Sequence, residues 1–303
     1  MNPSLKHRFE YLGLLLFSFL LRILPYKGAL VLAWLIAFVL HYTLPQRRTE
    51  AIARVREIMG EAASIRACRR TAWLSWRALF FNAVDLLKPR FHHTHTFKNP
   101  SFNALKTQLT QLLEESPNGV IMATLHYGNW ELLSAFTSFH SIEMTSIARA
   151  QKNCLTNAYL DGLRSRSHME VIAHDDAQLF RKIVGRLKEG RVLGILPDIR
   201  NDAAEISFSF LGQQTTLGVG CARFARTAQA PILPVLIKRS GWTKQEALFF
   251  DPIWPDPTLD KKQDHVRMMN ALLASFSDEV LSAPENYFWY NKKWLFSPSK
   301  KIS

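Results

Sequence analysis

The stretch "GVIMATLHYGNWELLSAF", residues 119–136, indicates the fold class of this chain. Its first seven residues form an apolar run of strand length, and its last seven place apolar side chains at helical spacing. A glycine and an asparagine stand between the two patterns, where the chain is expected to turn. The stretch is therefore predicted to form a strand, a loop and a helix in succession.

The same alternation of strand and helix patterns continues to the C-terminus. It predicts an α/β fold with a mostly parallel central sheet flanked by helices. The predicted strands are residues 119–125, 142–148, 169–173, 191–197, 230–238 and 246–251. The predicted helices are residues 46–87, 101–115, 130–139, 153–166, 175–190, 218–229 and 264–283.

The N-terminal segment differs in character from the rest of the chain. Residues 11–24 are apolar except for Arg22, and residues 28–44 contain no Lys, Arg, Asp or Glu. A membrane span needs about 20 apolar residues, so the two runs together are long enough for one span or a re-entrant hairpin. No small-residue cleavage site of a signal peptide follows them. We predict a membrane-anchoring segment at residues 1–45 and a globular domain at residues 46–303; a buried helix pair is the alternative.

Charge and cysteine content restrict the partners and the compartment. The chain has 38 Lys and Arg against 25 Asp and Glu, a formal net charge of +13. Such a surface attracts anionic partners, which include nucleic acid, anionic lipid and acidic soluble proteins. Excess Lys and Arg after the apolar segment favour the cytoplasmic side of a membrane. Cys68, Cys154 and Cys221 show no metal-binding or disulfide spacing, which indicates a reducing compartment.

His126 and Glu131 are the candidate catalytic residues of the opening stretch. On one ideal helix, five positions would separate their side chains by roughly 140°. We instead place His126 on the loop and Glu131 in the first helical turn, with Asn129 as the N-cap. The carboxylate could then meet the imidazole, fix its tautomer and make the other ring nitrogen a general base. The spacing also fits a loop histidine beside a glutamate that the helix dipole favours.

The loop also limits the chemistry of such a base. It contains no Ser or Cys that could act as an enzyme nucleophile, so the base would act on a substrate hydroxyl. The free N–H groups at the start of the following helix would favour an anion, such as a thioester oxyanion or a phosphate.

Five motifs of this chain resemble, in content and in order along the sequence, those of the bacterial lipid A late acyltransferases. These are the lauroyl and myristoyl transferases of the lysophospholipid acyltransferase superfamily. The opening stretch resembles the family's first motif, which is His, four residues, then Asp or Glu. The others are "IARAQKN" (147–153), "VLGILPDIRND" (192–202), "FLGQQTTLGVGCARFARTAQAPILPVLI" (210–237) and "PENYFWYNKKW" (284–294). The resemblance covers roughly residues 5–295. One departure is Ile199, where the family usually has Gln.

The resemblance implies an activity and a location. The enzyme would transfer a fatty acyl chain from an acyl thioester, carried by acyl carrier protein or coenzyme A. The acceptor would be the hydroxyl of a 3-hydroxyacyl chain on a lipid A precursor. His126 would be the general base, oriented and charged by Glu131, in an acyltransferase domain at residues 46–303. The family implies no metal and no organic cofactor, and a site at the cytoplasmic face of a Gram-negative inner membrane.

The resemblance also implies substrate-binding residues in the second, third and fourth motifs. They are Arg149, Asn153, Asp198, Arg200, Thr216 and Gly218. Arg149 would contact a lipid phosphate or the phosphopantetheine of the carrier, and Arg200 an anionic part of the substrate. Asp198 would brace the loops near the site. Thr216 and Gly218 would line the path of the acceptor.

Three alternatives remain open at this stage. A glycerolipid or glycolipid O-acyltransferase of the same superfamily would use the same pair on another acceptor. An acyl-thioester hydrolase would use His126 and Glu131 on water. A nucleic-acid-binding protein would explain the positive charge, but no basic-aromatic RNA motif or zinc finger is present.

Overall fold

The central feature of the fold is a six-stranded sheet. The structure is a computed structural model, which describes residues 4–88, 95–149, 152–165, 169–201, 206–291 and 295–296. The strands are β1 (Val120–Ala123), β2 (Met144–Ala148), β3 (Met169–Ala173), β4 (Val192–Ile195), β7 (Ile232–Ser240) and β8 (Lys244–Phe249). Their order is β3-β2-β4-β1-β7-β8, with parallel pairing up to β7 and antiparallel pairing of β8 with β7. The predicted α/β fold with a mostly parallel sheet is confirmed.

A separate two-stranded hairpin was not predicted from the sequence. It consists of β5 (Ser207–Phe210) and β6 (Gln213–Thr216), joined by Leu211 and Gly212. Both linking residues have positive φ, 49° and 77°, as a tight two-residue hairpin turn requires. The alternation "SFSF" before the turn, with both phenylalanines buried, is the sequence signal that indicates this strand.

Helices surround the sheet on both faces. They are α1 (Leu5–Ile23), α2 (Tyr26–Thr43), α3 (Pro45–Met59), α4 (Ile65–Leu87), α5 (Pro100–Glu115), α6 (Leu132–Phe139), α7 (Cys154–Ser165), α8 (Leu179–Lys188), α9 (Gly220–Ala228) and α10 (Lys261–Ser282), followed by a 3-10 helix (Pro284–Asn286). The predicted helix 46–87 is two helices, because α3 ends at Gly60, whose φ of 77° a helix does not accommodate.

Alternate side chains of β1 enter two different cores. Ile121 and Ala123 pack with α8, α9 and α10, whereas Val120 and Met122 pack with α5 and α6. Because successive strand residues point to opposite faces, a strand covered on both faces reads as a continuous apolar run. This explains why the unbroken run "GVIMATL" is a strand of the sheet interior.

The two N-terminal helices pack against α4. Leu21, Leu30, Ala33, Phe81 and Val84 share one buried cluster between them. Among the described helices, α2 is long and apolar enough to cross a membrane, and this fits a membrane location. Both helices expose large apolar side chains on their outer face, namely Leu5, Phe9, Leu12, Leu16, Phe19 and Ile23 on α1 and Val31, Leu35, Phe38, Val39 and Tyr42 on α2. The boundary after residue 45 stays a prediction.

Candidate active site

The candidate site lies where adjacent parallel strands end. His126 follows β1, and Asp198 follows β4, its neighbour in the sheet. Carboxyl ends of parallel strands meet at one edge of a sheet, which is where α/β proteins place their ligands. Arg149 directly follows β2 and His174 directly follows β3, so the sheet brings four polar residues to the same edge.

Asp198 holds His126 by two hydrogen bonds. The His126 backbone N–H donates to Asp198 Oδ2 at 2.8 Å, and its ring Nδ1 lies 2.8 Å from Asp198 Oδ1. A carboxylate only accepts, so Nδ1 carries the proton and Nε2 keeps its lone pair. Asp198 is buried, whereas the His126 side chain is 21% exposed. The arrangement presents one basic ring nitrogen to a molecule entering the site.

The surroundings of His126 raise its pKa. Burial alone would lower the pKa below its ordinary value of 6.5, because burial disfavours the charged imidazolium. The charge and the hydrogen bond of Asp198 act in the opposite direction, with a further contribution from the charge of Glu131. The net result is a pKa above 6.5.

The predicted role of Glu131 in fixing the tautomer needs correction. The carboxylate beside Nδ1 belongs to Asp198, which the sequence predicts as a substrate-binding residue that braces the loops. Glu131 stands at the N-cap position of α6 and contributes to the pKa of His126 through its charge. It also places a negative charge at the helix start, where an anion had been expected. As a catalytic residue, Glu131 stays a prediction.

The predicted capping by Asn129 is also wrong. The helix begins at Leu132 rather than Trp130, and Asn129 directs its side chain away from it. Its Nδ2 donates to Asp85 Oδ2 at 2.8 Å, and Asn129 is fully buried. A distant buried carboxylate therefore outcompetes the local capping position.

Asp85 is the centre of a buried polar cluster beneath the loop. Besides Asn129, it accepts hydrogen bonds from Tyr26 Oη at 2.8 Å and Gln245 Nε2 at 2.9 Å. Arg239 Nη2 also donates to it, so the charge of Asp85 is paired. Tyr26 lies on α2 and Arg239 on β7, so this cluster joins the N-terminal helices, the sheet and the loop that carries His126. The cluster was not predicted from the sequence, although a single acid within the apolar end of α4 is a signal for it.

The loop backbone has further fixed contacts. Gly128 has a φ of 53°, and a Cβ at that position would lie 1.7 Å from the carbonyl oxygen of Ile237. Asn82 Nδ2 donates to the Gly128 carbonyl at 2.6 Å. Close approach of the loop to β7 therefore requires glycine here.

Four of the other predicted substrate-binding residues fall into two positions. Arg149 is exposed, and its guanidinium donates to His174 Nε2 at 3.4 Å, so a cation stands at the rim of the sheet edge. Arg200 pairs with Leu217 in an isolated bridge, which brings Thr216 and Gly218 beside the segment that carries Asp198. These residues remain predicted contacts for substrate.

Asn153 occupies a structural position. Its Oδ1 accepts from the backbone N–H of Leu155 and Thr156 at the start of α7. Its Nδ2 donates to the carbonyl of His7 at 2.8 Å and to Glu10 Oε2 at 3.0 Å, both on α1. The side chain thus caps one helix and ties it to another, and nothing in these contacts supports its predicted binding of substrate.

The candidate metal ligands and the cysteines of the described part of the chain are further candidates for a chemical role. No group of three or more His, Cys, Asp or Glu side chains there could hold a metal ion. Cys68 and Cys221 are buried, and burial raises the pKa of the Cys221 thiol to about 12. A thiolate at Cys221 is therefore disfavoured at neutral pH.

The C-terminal aromatic segment reaches the site as well. The Phe288 N–H donates to the His126 carbonyl at 2.8 Å, and Trp130 packs edge-on against the His126 ring, with centroids 5.1 Å apart. The segment includes one of the five motifs that carry the resemblance. Three of its residues, 292–294, lie outside the described ranges.

Comparison with known proteins identifies relatives. The family model described as "Bacterial lipid A biosynthesis acyltransferase" matches residues 3–296. The chain is also similar to a "Phosphatidylinositol mannoside acyltransferase" of Mycobacterium tuberculosis, in two strains, at 23% identity over 183 residues. These matches cover 58% of this chain and 55% of each relative, so the chain spans about half the length of the curated relatives it matches.

Proposed function

We propose, from the premise that this chain belongs to the bacterial lipid A biosynthesis acyltransferase family and is an acyltransferase, that its acceptor is a lipid A precursor. The acyl donor in this proposal is a thioester of acyl carrier protein or coenzyme A. The accepting group is the hydroxyl of a 3-hydroxyacyl chain. The observation that carries the proposal is the pairing of His126 Nδ1 with Asp198, which leaves Nε2 as a base for that hydroxyl.

The proposed reaction is a direct transfer between two substrates. His126 Nε2 takes the proton of the acceptor hydroxyl as its oxygen attacks the thioester carbonyl carbon. A carbon–oxygen bond forms, and the carbon–sulfur bond breaks. The proton on His126 then passes to the leaving thiolate, so the imidazole returns to its neutral form. No enzyme nucleophile is needed in this scheme.

Asp198 and Glu131 would support the histidine in different ways. Asp198 keeps the tautomer that exposes Nε2 and stabilises the imidazolium that forms during attack. Glu131 adds to that stabilisation through its charge. Arg149 and Arg200 are proposed to contact phosphates of the acceptor or of the carrier's prosthetic group, since a guanidinium forms two parallel hydrogen bonds with phosphate.

The proposed location is the cytoplasmic face of an inner membrane. The outer faces of α1 and α2 are apolar, and such exposed apolar patches mark membrane or protein contacts. A net charge of +13 would attract anionic head groups, and it would also attract acidic acyl carrier protein. Both substrates would then meet at the edge of the sheet.

A second acceptor class is supported by one observation. The curated relatives are named for acylation of phosphatidylinositol mannosides, which are glycolipids. A glycolipid hydroxyl would present the same group to His126, so the proposed chemistry would not change.

The test is an acyl-transfer assay on the full-length protein in membrane vesicles. Acyl carrier protein and coenzyme A thioesters would each be offered with a lipid A precursor or a mannosylated glycolipid, and products identified by mass spectrometry. His126→Ala should reduce transfer by about 100-fold or more. His265→Ala, which replaces a histidine on α10, is the matched control and should retain activity.

The possible outcomes separate the candidates. Acylation of the glycolipid alone would replace the proposed acceptor and keep the mechanism. Release of free fatty acid without any acceptor would favour an acyl-thioester hydrolase. Full transfer by the His126→Ala variant would remove the histidine from the proposed mechanism.

A further inference from the structure

The segment after α10 runs alongside the catalytic loop. The Gly128 N–H donates to the Asn286 carbonyl at 2.7 Å, and the Phe288 N–H donates to the His126 carbonyl at 2.8 Å. Between these contacts, Tyr127 and Tyr287 form an antiparallel bridge. The loop that carries His126 is therefore paired, as a short strand would be, with residues more than 150 positions later in the chain.

Tyr287 lies in the middle of this pairing and is directed at Asp198. It is buried, and its hydroxyl lies beside the Asp198 carboxylate, which contributes to the raised pKa of the phenol. Burial and the neighbouring carboxylate raise the pKa of Tyr287 well above 10.0, so the phenol keeps its proton and donates. Asp198 thus accepts two hydrogen bonds from His126, and the Tyr287 hydroxyl stands beside the same carboxylate.

The position of Tyr287 is fixed from both sides. Ser75 Oγ, on α4, donates to the Tyr287 carbonyl. Trp289 is fully buried, and its Nε1 donates to the Pro284 carbonyl at 2.7 Å. These contacts hold the backbone of the segment that carries the phenol.

We propose that Tyr287 is a positioning residue of acyl transfer, which shares the negative charge of Asp198 and so helps His126 release the proton that it has accepted. This inference rests on the proposed function of His126 as the base. An unshared carboxylate would hold the imidazolium more tightly and leave less neutral histidine at neutral pH. The hydroxyl of Tyr287 limits that effect while it fixes the orientation of the carboxylate.

The experiment compares the Tyr287→Phe variant with the full-length wild type. The pKa of His126 would be measured by hydrogen–deuterium exchange at its imidazole C2 position, followed by mass spectrometry across pH. Loss of the donor should raise this pKa by about half a unit or more, since hydrogen bonds to charged groups are strong. In the transfer assay, kcat at pH 7 should fall several-fold with little change in KM. The acid limb of the pH–rate profile should move to higher pH.

Tyr290→Phe is the matched control. Tyr290 belongs to the same segment and is buried, but its hydroxyl lies 3.3 Å from His41 Nδ1, on α2. This variant should leave the pKa of His126 and the pH profile unchanged. An unchanged His126 pKa in Tyr287→Phe, or an equal shift in Tyr290→Phe, would overturn the proposal.

A second variant covers the case in which Tyr287→Phe does not fold. Site-specific replacement of Tyr287 by 3-fluorotyrosine keeps the shape and strengthens the donor, so the pKa of His126 should fall; no shift would reject the proposal. The exchange measurement needs no substrate. If the wild type transfers no acyl group, the proposed function fails, while the link from Tyr287 to His126 is still decided by the exchange rates.

Discussion

His126 and Asp198 occupy equivalent positions beyond the ends of two paired strands. Ala123, the last residue of β1, is the register partner of Ile195, the last residue of β4. His126 and Asp198 each follow three positions after these strand ends. The hydrogen bond between them at 2.8 Å thus extends the strand register into the site. A one-residue slip of β4 against β1 would separate the pair.

The raised pKa of His126 predicts a defined pH dependence. A general base must be neutral, so activity should rise with pH as His126 loses its proton. Because the pKa lies above 6.5, the acid limb of log kcat/KM should have its midpoint above that pH. Initial rates between pH 5 and 9 would check this. A midpoint below 6.5 would contradict the assignment of His126 as the base.

Asp198 and Glu131 should differ in their effect on the acid limb of the pH–rate profile. Asp198→Asn removes the larger electrostatic contribution to His126 as well as its charged hydrogen-bond acceptor, whereas Glu131→Gln removes a smaller charge contribution. Both substitutions should lower the midpoint, and Asp198→Asn should lower it further. The same rate measurements on both isosteric variants give the comparison. The reverse order would restore Glu131 as the principal partner of His126.

Gly128→Ala should disrupt the site. The added methyl group would lie 1.7 Å from the Ile237 carbonyl oxygen, and the positive φ disfavours alanine as well. We expect loss of activity and a lower melting temperature. Gly185→Ala, on α8, is the control: its Cβ meets no atom within 4 Å, and alanine is favoured in helices. Near-normal stability of Gly128→Ala would argue against the loop position described.

Asp85→Ala should destabilise the whole fold. Removal of one partner from a buried ion pair leaves the other charge unpaired and costs about 3–5 kcal/mol. Arg239 would be that unpaired charge, and Asn129 would lose its anchor. Denaturant unfolding would measure the change. Lys182→Ala removes one partner of an exposed ion pair and should stay close to the wild type. Equal stability of the two variants would refute the importance of the cluster.

The apolar face of α1 should contribute to membrane binding. Phe9 and Phe19 are each more than half exposed on that face, and burial of such a side chain in lipid contributes about 1.5–3 kcal/mol. A Phe9→Glu, Phe19→Glu double variant should shift toward the soluble fraction in co-sedimentation with anionic vesicles. Leu281→Glu changes an exposed apolar residue on α10 and should not shift. Retention of the double variant would show that α1 is dispensable for binding.

Local sequence patterns predicted the sheet well. The strand "GVIMATL" and its five counterparts are short apolar runs. Each of these patterns is contained in a few neighbouring residues, so it can be recognised without knowledge of the tertiary structure. The hairpin β5–β6 was not predicted, because its strands are short and half polar and the alternation over "SFSF" is a weak strand signal.

The site was harder to predict, because its contacts join distant segments. His126 and Asp198 were both chosen, but the carboxylate nearest in sequence, Glu131, was assigned to the imidazole. To identify Asp198 as the partner of the imidazole, one must know that β1 pairs with β4, and no local sequence pattern shows that pairing. For the same reason Asn129 was expected to cap a helix, although its partner Asp85 lies 44 positions earlier. The position of Tyr287 beside this loop depends on the pairing of Tyr287 with Tyr127, which lie still further apart in the sequence.

The hydrogen bond from Tyr26 to Asp85 has a practical consequence for anyone who shortens this protein. Deletion of the apolar N-terminus is a common route to a water-soluble fragment for crystallisation or screening. Here that deletion would remove a donor from the carboxylate that holds Asn129, and it would uncover the α4 surface that α2 covers. An inactive fragment would therefore say little about the chemistry of the intact enzyme, and inhibitor searches are better conducted on the full chain in lipid.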